Sequence, residues 1–240
     1  MKYQHWLILT CCLIKYTVAK YKQPNPEKYF MALHVAMLEQ NLIEYQDENL
    51  TIIDDWYPKG SNHYIVISKR YIRGIRHVNR SHIPLLEQME EKGLWVARSF
   101  RSRRSYLVGY HAEPFFDRLH LHIVSEDLRG RGLKNKEHYN SFTTPFFMPS
   151  KDVLHSLRVN GSLHFPSHEQ CRLWLKRPLH CAQCNYQPKS IQDYKDKHVA
   201  YHNFDTWSPP ANVSQVPTGF WIAKMWTFFE EWGNITATPE

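Results

Sequence analysis

The chain has 240 residues, 30 of them Lys or Arg against 23 Asp or Glu, for a net charge of +7. Such a length holds one sizeable core and an appendage, and the basic balance favours a polyanionic partner over a cationic one. An aromatic content of 14% excludes disorder over most of the chain, and five cysteines, of which only Cys181 and Cys184 have ligand spacing, exclude a disulfide framework.

In chain order, Trp6 to Ile14 is an apolar run behind Lys2 and His5, with Thr17-Val18-Ala19 where a signal cleavage site would fall. The run is too short to span a bilayer, so no membrane partner is expected. A reduced Cys pair further on argues for an intracellular chain, and residues 1–26, closing on Gln23-Pro24-Asn25-Pro26, are taken as an N-terminal extension. Glu27 to Gln40 has the spacing of an amphipathic helix, with Phe30, Leu33, Ala36 and Met37 on one face. Leu42 to Tyr45, Leu50 to Asp54 and Tyr64 to Ser68 predict three antiparallel strands from their apolar and β-branched residues. Between the last two lies Asp55-Trp56-Tyr57-Pro58-Lys59-Gly60. Ser81 to Arg98 predicts the long helix, with Leu85, Leu86, Met89 and Leu94 on its core face. Arg98, Arg101, Arg103 and Arg104 then form a basic hinge, either a solvated loop or a phosphate-tracking patch, before a strand over Tyr106 to Ala112.

Leu119-His120-Leu121-His122-Ile123-Val124 alternates strictly, the pattern of a half-buried strand. Side chains two apart on a strand point the same way, so His120 and His122 share a face about 7 Å apart while Leu121 and Ile123 turn to the core. Two imidazoles on a rigid strand, with His111 on the strand before, suit an anionic ligand that reacts: one attacks while its neighbours donate to phosphate oxygens. A surface strand carrying two ordinary histidines would show the same short pattern. Arg129-Gly130-Arg131-Gly132-Leu133-Lys134-Asn135-Lys136-Glu137-His138 follows, either a solvated turn or a loop whose glycines let backbone approach a phosphate. Ser150 to Leu157 predicts a short helix with Ser150 as its N-cap.

Cys181-x2-Cys184-x13-His198-x3-His202 has the spacing of a tetrahedral zinc finger. Four protein ligands leave no place for a water to be activated, so one structural zinc ion is expected. Lys189, Lys195 and Lys197 on the finger either meet phosphates or are solvated. Beyond Ser208-Pro209-Pro210, Trp221 to Trp232 is apolar enough to pack on a partner or on the domain.

Five blocks together resemble the histidine-triad superfamily and, within it, the aprataxins, its DNA-deadenylase branch. They are Asp55 to Lys59 leading to His63; Gly109-Tyr110-His111-Ala112; Leu119 to Ser125; Leu133-Lys134-Asn135-Lys136 with His138-Tyr139-Asn140-Ser141-Phe142; and the finger. The resemblance departs at two places: Arg118 stands where the first histidine of the triad would be, and Pro114-Phe115-Phe116 replaces a more usual P-S-M. It implies an α+β histidine-triad fold, a five-stranded, mainly antiparallel sheet with two helices, fused to a C-terminal Cys2His2 finger. The expected layout is a catalytic domain over 27–165, the finger region over 166–205 and a tail over 206–240.

The resemblance also implies a function: removal of AMP from 5′-adenylated DNA ends left by abortive ligation, in the nucleus, by a monomer acting on nicked or single-strand-break DNA. His120 would be the nucleophile that forms an adenylyl-histidine, His122 and His111 would steady the phosphate oxygens, and His63 would assist the leaving group. Asp55 would accept hydrogen bonds from the ribose hydroxyls, beside Lys59. Arg118 would supply fixed charge at the phosphate, and Tyr29, Lys134, Lys136 and His138 would meet DNA. Two rivals stand beside this reading: a hydrolase of small adenylates with the finger as a brace, and a weakened site that only grips nicked DNA.

Overall fold

The computed structural model describes residues 33–100 and 104–202. Tyr29, Arg101, Arg103, the N-terminal apolar run and the Trp-rich tail lie outside the described residues. Among the described residues no helix is long and apolar enough to cross a membrane.

A short helix, α1 (Leu33–Ala36), is followed by strands β1 (Ile43–Gln46), β2 (Leu50–Asp54) and β3 (His63–Ser68). The expected helix through Gln40 stops at Ala36. The chain tightens there into turns, with Glu39 N donating to Ala36 O and Leu42 N to Glu39 O, which delivers Leu42 to the sheet. Helix α2 (Ile83–Phe100), strands β4 (Tyr106–His111) and β5 (His120–Ser125), helix α3 (Lys136–Thr143), strand β6 (Phe147–Pro149) and helix α4 (Ser150–Asn160) complete the first part.

The sheet is antiparallel, in the order β1-β2-β3-β5-β4-β6. It has six strands where five were expected. The extra one is three residues long and pairs with Gly109 to His111, too short a run to carry its own alternation signal. Ser150 is the first residue of α4 rather than its N-cap: Pro149 holds the cap position, and Ser150 is buried. The helix ends on Gly161 in the left-handed region, at φ 76°, where glycine carries no Cβ penalty.

The two faces of the sheet carry different chemistry. Ile52, Val66, Leu121 and Ile123 face α2 and α4, where Leu86, Met89, Val96 and Leu157 close a fully buried core. Burial of each such aliphatic contributes roughly 1.5–3 kcal/mol. The back of β5 is therefore held by Leu121 and Ile123, which leaves its front free to hold polar imidazoles in place. On that front, Ile53, Ile65 and Ile67 pack with Leu33 and Leu42, and His120 and His122 stand opposite Ile67 and Ile65.

Beyond α4 come helix α5 (His168–Lys176) and the Cys181 to His202 segment, whose helical part opens with Ile191–Asp193. This part is tied to α3: the Asn140 amide donates to Leu175 O and Arg177 O, both at 2.9 Å, and Ala182 N donates to Tyr139 Oη at 3.0 Å.

Candidate active site

Four histidines meet on the front of the sheet. His120 and His122 come from β5, His63 opens β3, and His111 ends β4. The alternation that placed His120 and His122 on one face holds, and their rings lean together to a centroid separation of 5.0 Å. His111 lies 4.4 Å from the His122 ring and His63 lies 5.2 Å from it. Phe142 of α3 lies edge-on to His63, His111 and His122, at 5.6, 4.9 and 5.5 Å. It closes the cluster from one side, a role that its place in the N-S-F block did not disclose.

Each imidazole has a different set of partners. His120 Nδ1 lies 2.7 Å from Arg118 O; a carbonyl only accepts, so Nδ1 carries the proton and Nε2 holds the lone pair. Burial, partly offset by that bond, pushes the His120 pKa down and keeps the ring neutral. His122 Nδ1 lies 3.0 Å from His63 Nε2, and His63 Nδ1 lies 2.9 Å from Asp55 Oδ2. The Nε2 atoms of His111 and His122 are buried with no hydrogen-bond partner among the described residues. Burial and the neighbouring imidazoles push both rings well below the ordinary histidine value. Two orphaned ring nitrogens beside the lone pair of a third are what a site awaiting a polar ligand requires.

Asp55 is engaged inside the protein. Its Oδ2 meets His63, and its Oδ1 accepts from Tyr57 N at 2.9 Å. Burial opposes its charge, but the His63 imidazole, Lys59 and the Tyr57 amide hold its carboxyl well below the usual range. In this arrangement it orients His63, a link the sequence reading did not include. Lys59 Nζ donates to Tyr57 O at 2.6 Å, and burial followed by the opposing pull of Asp55 leaves its pKa lowered.

Arg118 is held through its side chain by backbone carbonyls. Its Nε donates to Ser68 O at 3.0 Å and its Nη2 to Lys69 O at 2.6 Å, with the guanidinium 5.7 Å from the Tyr71 ring. Its contribution to the cluster is its backbone carbonyl, which sets His120. The side chain satisfies two carbonyls, one at the end of β3 and one just beyond it.

The glycine loop also serves a purpose other than expected. Gly130 N donates to Lys59 O at 2.9 Å and Gly132 N to Pro58 O at 2.8 Å. A Cβ on either glycine would drive into the backbone carbonyls of Pro58 or Tyr57. These glycines let two loops pack backbone to backbone, so they brace the Asp55–Lys59 turn and do not present a phosphate cradle. Lys195 from the finger donates to Gly130 O and Leu133 O, both at 2.7 Å, and so is a partly buried strut between the finger and this loop. Arg104 and Arg129 lie 3.1 and 3.0 Å from the buried Asp127 carboxylate, which also binds Ser61 and Ser125. Of the hinge arginines, Arg104 is therefore structural. Lys134 and Lys136 are exposed at the mouth of this loop. His138 Nδ1 accepts from Lys134 N at 3.2 Å, and burial together with Lys59 lowers its pKa.

Cys181, Cys184, His198 and His202 converge so that their ligand atoms lie within 4.8 Å of one another. Cys181 Sγ to His202 Nε2 and Cys184 Sγ to His198 Nε2 are each 3.3 Å, and the two Nε2 atoms are 3.0 Å apart. Ligands of a tetrahedral zinc with bonds of about 2.0–2.3 Å lie roughly 3.3–3.8 Å apart; the donor set fits that ion, and both Sγ–Nε2 separations fall in this range while the Nε2–Nε2 separation is shorter.

A family described as "Scavenger mRNA decapping enzyme C-term binding" matches residues 32–138, and one described as "C2HE / C2H2 / C2HC zinc-binding finger" matches residues 143–202. Aprataxin of Gallus gallus is 34% identical over 172 residues, 71% of this chain and 54% of that protein. Aprataxin of Danio rerio is 31% identical over 183 residues, 75% of this chain and 56% of that protein. The chain thus spans about half the length of these curated relatives. The crystal structure of aprataxin ortholog Hnt3 in complex with DNA superposes with a TM-score of 0.51 at 24% identity, over 66% of this chain and 86% of that one, which supports the fold. The chain is thus similar to the aprataxins over 71–75% of its length, and its histidine-bearing sheet is followed by a segment that matches a zinc-binding finger.

Proposed function

We propose that this chain is a DNA-repair hydrolase that removes AMP from 5′-adenylated DNA ends through a covalent adenylyl-histidine on His120. The observation that carries the reading is the set of ring nitrogens. His120 Nε2 is a lone pair locked by the Arg118 carbonyl, and it stands beside two buried, partnerless Nε2 atoms on His111 and His122. A neutral imidazole is the attacking form, and burial keeps His120 in that form at neutral pH.

In the first step His120 Nε2 bonds to the AMP phosphorus and the bond to the DNA 5′-phosphate oxygen breaks. His122 and His111 hold the non-bridging oxygens, and His63 and Lys59 border the leaving phosphate. Water then cleaves the P–N bond, returning AMP and neutral His120. Lys134, Lys136 and His138 on one edge of the site, and Tyr29 from the N-terminal side, would take the DNA strand. Residues 27–165 form the catalytic domain in this reading, and 166–205 hold one structural zinc through Cys181, Cys184, His198 and His202. Nicked or single-strand-break DNA is the partner, the working unit a monomer and the compartment the nucleus.

The test offers the protein a 5′-adenylated nicked duplex and, separately, adenosine 5′-phosphoramidate. Cleavage of the DNA with a kcat/KM well above that for the phosphoramidate is the expected result. Equal efficiency on both would replace this reading with a small-adenylate hydrolase, and binding of DNA without cleavage would replace it with a recognition module.

A further inference from the structure

Asp55, His63 and His122 form a continuous chain from a buried carboxylate to an orphaned ring nitrogen. Lys59 N also approaches His63 Nδ1, at 3.3 Å, but the shorter 2.9 Å contact to a carboxylate, which only accepts, puts the proton of that nitrogen on the Asp55 side. His63 Nε2 is then bare and accepts from His122 Nδ1 at 3.0 Å. The remaining nitrogen, His122 Nε2, is left with a lone pair and no partner among the described residues. In this protonation state the nitrogen aimed at the ligand cannot donate to a phosphate oxygen; it repels one.

One proton resolves the conflict. Added to His122 Nε2, it turns that atom into a donor, and the positive charge is shared with His63 and balanced by Asp55. Without ligand the cation is disfavoured by what surrounds it. His122 is buried among His111 of β4, His120 of β5 and His63 of β3, with Lys59 nearby in the turn and apolar Phe142 on the α3 side; Asp55 is the only anion among them. Beyond Lys59 lies His138, whose own pKa is lowered. An incoming phosphate supplies the second negative charge that the cation needs.

We propose that binding of an adenylate takes up one proton from solvent onto the His63–His122 pair, and that Asp55 is the positioning residue that makes this uptake possible. The proposal rests on the adenylate reading of the site. It implies that affinity for a phosphate that does not itself titrate falls tenfold per pH unit between the pKa of the free pair and the higher pKa of the bound pair and levels off above the latter, a base-side loss set by the relay and separate from the nucleophile.

The experiment uses the full chain carrying His120→Asn, which stops turnover, and the methyl phosphodiester of 5′-AMP, a single-charge ligand that does not ionise between pH 5 and 9. Titration calorimetry in two buffers of different ionisation enthalpy reads the protons taken up directly. The expected result at pH 8 is uptake close to one proton, falling close to zero when Asp55→Asn is added, with affinity weakened about tenfold. His63→Gln, which keeps a bridge between Asp55 and His122 but holds no charge, is expected to abolish uptake in the same way and guards against misfolding of the Asp55 variant. Tight binding with no proton uptake in the parent, or the same uptake in both relay variants, overturns the proposal and leaves the adenylate reading standing. Failure of the parent to bind the diester at all overturns both.

Discussion

The chain contains two clusters of imidazoles, and their nitrogens are used in opposite ways. In the finger, His198 and His202 aim their Nε2 atoms at one another and at two sulfurs, so four donors enclose a single point. On the sheet, His111 and His122 keep their Nε2 atoms buried and unpaired beside the lone pair of His120. The first arrangement is complete once an ion is held and has no position left for chemistry. The second is incomplete until an outside group enters it. Residue type does not separate a structural from a reactive histidine cluster; the direction of the free nitrogens does.

The largest effect should come from removing the one imidazole that attacks. His120→Ala is expected to lower turnover of adenylated DNA by about a thousandfold or more, with no adenylyl adduct detectable by mass spectrometry. The fold should survive, because β5 is held from behind by Leu121 and Ile123. An adduct on the variant would move the nucleophile elsewhere. Because burial lowers the His120 pKa, the acid-side loss of kcat/KM should begin below about pH 6.5. Above that point the ring is neutral in both free and folded chain; below the lowered pKa it is protonated and cannot attack.

Removing the metal tests the other cluster. Chelation, or Cys181→Ser, should unfold the finger and release Lys195 from Gly130 O and Leu133 O. That loop braces the Asp55–Lys59 turn through Gly130 and Gly132. Turnover of adenylated DNA should fall roughly tenfold to a hundredfold, and phosphoramidate hydrolysis should fall with it, though less. Unchanged phosphoramidate hydrolysis in the zinc-free protein would show that the two clusters are independent.

Exposed lysines should matter less, and only for DNA. Lys134→Ala with Lys136→Ala is expected to flatten the salt dependence of DNA deadenylation by about 0.9 per lost phosphate contact. Phosphoramidate turnover should hardly change. Equal loss on both substrates would assign the lysines to the adenylate pocket or to the fold.

Periodicity made the shared face of His120 and His122 legible in advance and spacing did the same for the finger, for a physical reason, whereas His63 entered only through the family resemblance. The two-residue period of β5 dictates which way its side chains face, and a Cys-x2-Cys knuckle with two histidines a helical turn apart dictates a four-ligand site. What could not be read were contacts between distant segments. Gly130 and Gly132 announce that something approaches closely but not that it is the Pro58 and Tyr57 backbone. Lys195 looks like any basic finger residue until two carbonyls are seen around it. Phe142 announces an apolar side chain and nothing of the three imidazoles it covers. Strand β6 is too short for any pattern, and the end of α1 is decided by the need to bring Leu42 to the sheet.

Arg118 joins both lessons and has the smallest expected effect. Substitution of a triad histidine by arginine suggests a charge for the phosphate, and on that view Arg118→Ala would weaken adenylate binding and raise KM. In the structure the guanidinium instead binds Ser68 O and Lys69 O, and the backbone of the same residue locks His120 Nδ1. Loss of two charge-assisted bonds to strand-end carbonyls should cost about 1.5–3 kcal/mol of stability and loosen the carbonyl that sets the nucleophile. The expected outcome is therefore a few-fold fall in kcat with KM little changed, together with a lower Tm. Arg118→Lys should restore part of the stability, since an ammonium reaches one carbonyl but cannot fork to two. A raised KM with unaltered kcat and Tm would return Arg118 to the phosphate and leave the orientation of His120 to other groups.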